Sequence, residues 1–501
     1  MANRVVLRGA FGLLGEKLEF DPRPLDVVIE GERIVSLDPA GTAAGTSEVI
    51  DLAGRMLVPG LINGHLHSHE HFAKGRTENL PLELWMHQMR SALVVPLNPR
   101  QTYLRTLVGA IEALRTGTTT VVDDLILGAS IDQECIEAVF QAYEDAGIRA
   151  LVGFAMTNRP VVDNFPFVES VFPAELLAQL RALPRPGADE YLRLTAELGR
   201  TRHPHSRRVG FLISASAPQR CTQDFLAACR RLANDYALPL ITHVQETRLQ
   251  VVTGSLFYGS PMVEYLDRIG FLAPNTSLIH AVWLNPREIE AIARAGATAQ
   301  HNPWSNLTLG SGVQPVRELL EAGVNVSLGS DGTCSTVTAN MLTALGSAAA
   351  LSKIRGDDYS RWLSAREALT AATQGGARAL GFGDRLAVLR PGALADLVAY
   401  RLDAPAFTPL NDPVRQLVYA ERGAGVDFAI VAGRVALRGG RLLGIDEGKI
   451  LAEIGAEHAR LVEHFDRASA ALDPVMRAME EVYRRCLAVA VPRDTYPARL
   501  P

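Results

Sequence analysis

The sequence predicts an α/β fold: a closed (β/α)8 TIM barrel with a small β-sandwich made from both termini and a C-terminal helical extension. Three observations predict it. Eight short apolar runs alternate with helical patterns through the middle of the 501-residue chain. Glycine-bounded strand signals appear at both ends, and amphipathic helical spacing takes over after about Gly448.

The eight runs are 57–65, 119–125, 150–154, 209–216, 239–243, 277–280, 297–300 and 325–331. Helical stretches such as 100–116, 223–236, 286–295 and 316–322 separate most of them. An open doubly wound sheet is the alternative, but no Gly-x-Gly-x-x-Gly follows the first of these runs. At the N-terminal end, runs 26–30 and 33–37 flank a turn at Gly31-Glu32. Towards the other end, runs 395–400, 428–431 and 435–437 follow the same logic, with a turn at Ala432-Gly433. The expected organisation is therefore a β-sandwich from 1–58 and 386–447, a barrel over 59–385, and a helical tail over 448–501. In the tail, Leu461, Phe465, Ala468 and Leu472 share one helical face, and Val475, Met479, Val482 and Cys486 share another. Asp473-Pro474 reads as an N-cap and a proline at the first helical position. These stripes need burial against the chain's own barrel or a second copy, and the expectation is a homodimer or higher homo-oligomer. His458 and His464 read as surface residues of the tail.

Composition narrows the function. A formal net charge of -5 without basic blocks excludes the electrostatic footprint of a nucleic-acid binder. No stretch reaches the ~20 apolar residues of a membrane span, and Met1-Ala2-Asn3-Arg4 leads into a strand pattern without an apolar leader. The five cysteines are scattered and never form Cys-x-x-Cys, which argues against a disulfide frame or thiolate zinc site. Cytoplasmic is the expected compartment.

The chemistry concentrates at strand ends. In Pro59-Gly60-Leu61-Ile62-Asn63-Gly64-His65-Leu66-His67, the two histidines are i and i+2 on a strand and share a face. A lone His-x-His is as often a buried hydrogen-bonded pair as a ligand pair. Here, however, the runs Leu240-Ile241-Thr242-His243 and Leu278-Ile279-His280 also end in histidine, and 325–331 ends in Asp331. Barrel active sites form at the carboxyl ends of strands, so these terminations converge on one cavity. Imidazoles and a carboxylate with one open position suit a catalytic divalent cation, zinc or alternatively iron.

These motifs resemble the aminohydrolase and chlorohydrolase branch of the amidohydrolase superfamily. The resemblance runs from about residue 5 to 445. It takes in His243-Val244-Gln245-Glu246, His301-Asn302-Pro303-Trp304-Ser305-Asn306, Gly329-Ser330-Asp331-Gly332 and Pro391-Gly392-Ala393-Leu394-Ala395-Asp396-Leu397. It implies that His65, His67, His243 and Asp331 bind one metal, and that His280 contacts the attacking water. Binuclear relatives carry a carboxylated lysine at the end of the fourth strand. The stretch from Val209 to Gln219 contains none, which points to the mononuclear form. The same stretch departs from the family where a substrate-contacting histidine is common, and Gln219 stands near that position.

The resemblance further implies hydrolytic deamination of a nitrogen heterocycle such as an aminopyrimidine, purine or triazine. Asp331 would take the water's proton, Glu246 would protonate a ring nitrogen, and His280 would stabilise the addition intermediate. Trp85, Gln219, Asn302 and Trp304 are candidate substrate contacts. His69 and His71 read as loop histidines bonded to backbone, and Cys334 as structural. Two rival readings stay open: a dechlorinating, amide or cyclic-imide hydrolase of the same superfamily, and a metal-binding scaffold without catalysis.

Overall fold

The computed structural model describes residues 4–43, 48–93, 95–128 and 130–496. Eight parallel strands follow one another in chain order: Leu61–Leu66, Thr118–Leu125, Arg149–Phe154, the interrupted pair Val209–Phe211 and Ile213–Ser214, Leu240–Val244, Thr276–His280, Thr298–His301 and Asn325–Leu328. Each pairs with the next, as Val121 with Ala150 and Thr242 with Leu278. At the break in the fourth strand, the Leu212 N–H donates to the Val152 carbonyl (3.1 Å) and the Ile213 N–H to the Pro239 carbonyl (3.0 Å), so the wall stays continuous. The barrel closes where the Asp331 N–H donates to the His65 carbonyl at 2.9 Å. Gly329 is required at this seam. A Cβ there would stand 2.6 Å from Gln300 Nε2 and 2.8 Å from the His65 nitrogen, closer than real Cβ atoms approach.

Two sequence-read runs are divided by the structure. Run 57–65 splits at Pro59-Gly60: Arg55–Pro59 joins the terminal sheet, with Pro59 opposite Leu397, and the barrel strand starts at Leu61. Run 325–331 stops as a strand at Leu328, because Asp331 adopts a left-handed backbone (φ 69°) that no strand continues through.

Ile62, Val122, Leu151, Leu212, Ile241 and Ile279 form one apolar layer, closed by Leu380, Phe382 and Leu386. Val122 and Ile241 lie two residues before Asp124 and His243, so this layer is the floor beneath the polar strand ends.

The terminal strands form one nine-stranded sheet. Its order runs Arg441–Leu442, Arg434–Arg438, Val426–Val431, Leu397–Arg401, Arg55–Pro59, Arg4–Leu14, Glu19–Glu30 and Arg33–Pro39, with Glu48–Asp51 paired beside Arg4–Leu14. Val5, Val27, Leu57, Leu397 and Phe428 share its core. A buried bidentate pair joins sheet to barrel, Arg149 Nε and Nη2 donating to Asp396 at 2.8 and 3.0 Å.

The tail is two helices, Glu447–Ala470 and Asp473–Ala488. Leu461 and Phe465 pack on Phe72 and Leu104. Val475, Met479, Val482 and Cys486 pack on Leu84, Phe165, Leu249 and Val252. These six stripe residues are thus covered by the chain itself, while Ala468 and Leu472 are half-buried. Asp473 is the first helical residue, and Leu472 holds the N-cap position. His464 is exposed, while His458 is half-buried with its ring near Phe72 and Phe465. All five cysteines are free, and no helix among the described residues is long and apolar enough to cross a membrane.

Candidate active site

The first strand delivers His65 from its last turn of chain and His67 from the extended residue beyond it, with ring centroids 4.6 Å apart. The fifth strand delivers His243, whose ring centre is 4.9 Å from that of His65. The eighth delivers Asp331, with Oδ1 3.5 Å from His65 Nε2 and 3.3 Å from His67 Nε2. The ligand-type atoms of His65, His67, Asp124 and His243 all lie within 4.8 Å of one another, as do those of His65, His280 and Asp331.

The surroundings orient these groups. His67 Nδ1 is 2.6 Å from the Asp124 carbonyl, and His243 Nδ1 is 2.8 Å from the Ser216 carbonyl. Donation to those oxygens leaves Nε2 of each ring as a lone pair for a cation. Asp331 accepts from Ser305 Oγ (2.6 Å) and the Gly332 N–H (2.7 Å). His65 is wholly buried, yet neither ring nitrogen has a hydrogen-bond partner among the described residues. Such an orphan costs about 1–3 kcal/mol unless something binds it. A cation held by imidazole nitrogens and carboxylate oxygen removes that cost, so the residues present fit a divalent metal.

Burial, reinforced by the neighbouring histidines, holds His65 and His243 well below the ordinary imidazole range, so both are neutral ligand forms. His67 differs: burial pulls it down, but the carboxylates of Glu70, Asp331 and Asp124 together push it up to about 9. That excess of carboxylate charge around an imidazole is the field a cation would neutralise.

Strained backbone turns the remaining groups inward. Gln245 is left-handed (φ 46°), which breaks strand alternation. Its own side chain faces outward, donating to Glu288 Oε2 at 3.0 Å, and Glu246 turns into the chamber instead. There Glu246 Oε2 lies 3.4 Å from His280 Nε2. His280 is itself left-handed (φ 71°), its Nδ1 2.9 Å from Asn306 Oδ1 and its Nε2 3.8 Å from Asp331 Oδ2. Left-handed non-glycine residues at three strand ends mark a site held against local preference. Burial, then the Asp331 and Glu83 carboxylates, push Glu246 well above the ordinary carboxylate range, which favours its protonated form.

The other sequence-read residues fall variously. Asn302 is buried with its Nδ2 3.4 Å from His280 Nδ1. Gln219 is buried, its Oε1 without a hydrogen-bond partner among the described residues. Trp85 is half-buried beside Ala73, Met89 and Cys334. Trp304 is 40% exposed, on the outer side of the short helix Pro303–Thr308. His71 bonds the Arg105 carbonyl at 2.9 Å, and His69 Nδ1 accepts the Ile126 N–H at 3.2 Å. Cys334 is buried, its N–H donating to Glu70 Oε2 at 3.0 Å.

Three residues escaped the sequence reading. Asp124 ends the apolar second strand just as Asp331 ends the eighth run, a signal that was available. Glu83, on the helix Leu82–Leu93, is buried and accepts from Thr247 Oγ. Arg220 donates to Ser216 Oγ at 3.2 Å and contacts Met86 Sδ at 3.1 Å. Neither of these two has a local signature, since both reach the chamber only through folding.

Fold and site together define a barrel hydrolase of the class that activates water beside a strand-end cation. Residues 56–436 match the amidohydrolase family, and the chain belongs to that family. It is 33% identical over 435 residues to the 5'-deoxyadenosine deaminase of Methanothermobacter thermautotrophicus, covering 87% of this chain and 94% of the relative. A zinc-bound adenosine deaminase from Xanthomonas campestris superposes with a TM-score of 0.81 at 27% identity, covering 92% of this chain and 98% of the other. The zinc complex of atrazine chlorohydrolase from Arthrobacter aurescens TC1 gives 0.82 at 25% identity, covering 91% and 100%.

Proposed function

We propose that this chain is a mononuclear, zinc-dependent aminohydrolase that removes the exocyclic amine of a 6-aminopurine nucleoside as ammonia. The observation that carries the reading is the pairing of Glu246 with His280 beside the His65, His67, His243 and Asp331 cluster. His65, His67, His243 and Asp331 would hold the cation, with Asp124 behind them. A cation held there would supply Lewis acidity that makes water easier to deprotonate near neutral pH.

The chain's own groups do the rest. Asp331, steadied by Ser305 and Gly332, accepts the proton released by the attacking water. Glu246, pushed by burial well above the ordinary carboxylate range, delivers a proton to the ring nitrogen next to the reacting carbon, which makes that carbon electrophilic. His280, fixed by Asn306, hydrogen-bonds the oxygen being added. Asp331 passes the proton it took from water to the departing amine, which leaves as ammonia, while the added hydroxyl returns a proton to Glu246 as the ring carbonyl forms and the ring nitrogen keeps its own.

Protonation also decides between reaction classes. Chloride departs without a proton, whereas an amine needs one, so a buried protonated carboxyl favours deamination over dechlorination. The relatives that act on 5'-deoxyadenosine and adenosine support a purine nucleoside. Five free cysteines support a reducing, cytoplasmic setting. Ammonia release should be assayed on adenosine, 5'-deoxyadenosine, an aminopyrimidine and an aminotriazine, with chloride release from a chlorotriazine in parallel. Preferred turnover of the two adenosines is expected. Chloride release with no ammonia from any amine would reject the reading.

A further inference from the structure

The family match ends at residue 436, yet the chain continues through both tail helices, and the described residues run on to Tyr496. We propose that this extension is a positioning clamp which, through Arg248, holds the loops of Glu246 and His280 in working register. The inference rests on the acid role proposed for Glu246.

Arg248 opens the helix Arg248–Tyr258, two residues after Glu246. Its Nη1 donates to the Leu487 carbonyl at 2.7 Å and the Cys486 carbonyl at 3.3 Å, and its Nη2 to the Val489 carbonyl at 2.7 Å. Those oxygens end the helix Asp473–Ala488. The Cys486 carbonyl also accepts the Val489 N–H at 3.2 Å, and all three oxygens lie at the negative end of the helix dipole, where a guanidinium binds best. Charge-assisted bonds of this kind are about twice as strong as neutral ones.

The same helix grips Glu246 from the other side. Gln250 Oε1 accepts the Glu246 N–H at 3.0 Å, and Thr247 caps the helix while donating to Glu83. Leu249 and Val252 pack with Val475, Met479 and Val482 of the tail. A second tail contact reaches the loop after His280. The Tyr496 N–H donates to the Leu284 carbonyl at 2.8 Å, and Val491 packs on Trp283 and Val251. The Trp283 N–H in turn donates to the Gln245 carbonyl at 3.0 Å, so the tail holds two loops that also hold each other.

The need for such a clamp follows from the backbone. Left-handed Gln245 and His280 persist only where their surroundings over-determine them. An acid that acts on one ring nitrogen tolerates little displacement, since ~1 Å of misplacement can cost ~10²-fold.

The test compares metal-replete full-length protein with Arg248→Met, Arg248→Lys and a chain ending at Val489. Steady-state kinetics are read together with amide hydrogen exchange over 244–258 and 280–285. Arg248→Met is expected to keep its metal and thermal midpoint and to lower kcat by ~10-fold to 10²-fold, with KM changed far less. Exchange over 244–258 should quicken, and Arg248→Lys should recover part of both effects. The shortened chain should quicken exchange over 280–285. Unchanged exchange and unchanged kcat in Arg248→Met would overturn the clamp, as would a lysine variant no better than methionine. If the wild type deaminates nothing, the functional reading fails while the exchange data still decide the clamp.

Discussion

Glu246 Oε2 and His280 Nε2 face each other at 3.4 Å across the ends of adjacent barrel strands. Each reaches that position from a left-handed stretch of backbone, Gln245 for the first and His280 itself for the second. A carboxyl pushed well above its ordinary range and an imidazole pushed below its own, both chiefly by burial, are thereby set beside the histidine cluster. Replacing Glu246 with Gln removes the transferable proton while keeping shape. Turnover should fall by ~10²-fold or more, the scale of positioned acid–base groups, with metal content unchanged. Near-normal turnover would place the proton transfer elsewhere.

The cluster should hold one equivalent of zinc per chain. Elemental analysis of protein purified without chelator reads this directly, and His65→Ala should lower the stoichiometry well below one. Two equivalents in active protein would contradict the mononuclear reading and promote Asp124 to a second site.

Much of this centre was legible in the sequence, because several largely apolar runs end in histidine or aspartate and a barrel gathers the carboxyl ends of its strands at one cavity. His65, His67, His243, His280 and Asp331 follow that rule. Asp124 follows it as well, but the polar Thr118-Thr119-Thr120 start of its strand obscures the pattern. The role of Glu246 follows only from the family resemblance; its inward turn depends on the conformation of Gln245, which no local pattern encodes. Arg220 and Glu83 come from a short 3-10 turn and a helix outside the barrel, so their convergence is purely tertiary. The tail shows the opposite limit. Its stripes were readable, but whether they covered the barrel or a second copy was decided by Leu84, Phe165, Leu249 and Val252, which are distant in sequence.

At the other end of the barrel, Asp396→Asn should destabilise without touching chemistry. Asp396 balances the buried Arg149 guanidinium and also accepts the Ala432 N–H at 2.8 Å. Leaving Arg149 buried and unpaired should cost about 3 kcal/mol. A clear drop in the thermal midpoint is expected at unchanged zinc content and kcat. A midpoint equal to wild type would mean that the pair contributes nothing to joining sheet and barrel.

Acid should also weaken the fold through His301. Burial first, then His280 and Arg355, push this imidazole down to about 3. The unfolded chain binds its proton near pH 6.5 and the folded chain does not, so the unfolded state holds more protons between those values. Stability from this residue is therefore complete above about pH 6.5 and is lost as pH falls towards 3. Urea midpoints measured from pH 7.5 to 5 should decline for wild type and decline less steeply for His301→Asn. Parallel slopes would remove His301 from the account.

In the proposed reaction, water replaces an amine on an intact ring. Turnover of adenosine or 5'-deoxyadenosine in 18O-labelled water, with mass analysis of the product and assay of ammonia, tests it most directly. One labelled oxygen per product, a closed purine ring and one ammonia per turnover are the predicted result. A ring-opened product, or product formed without ammonia, would contradict it.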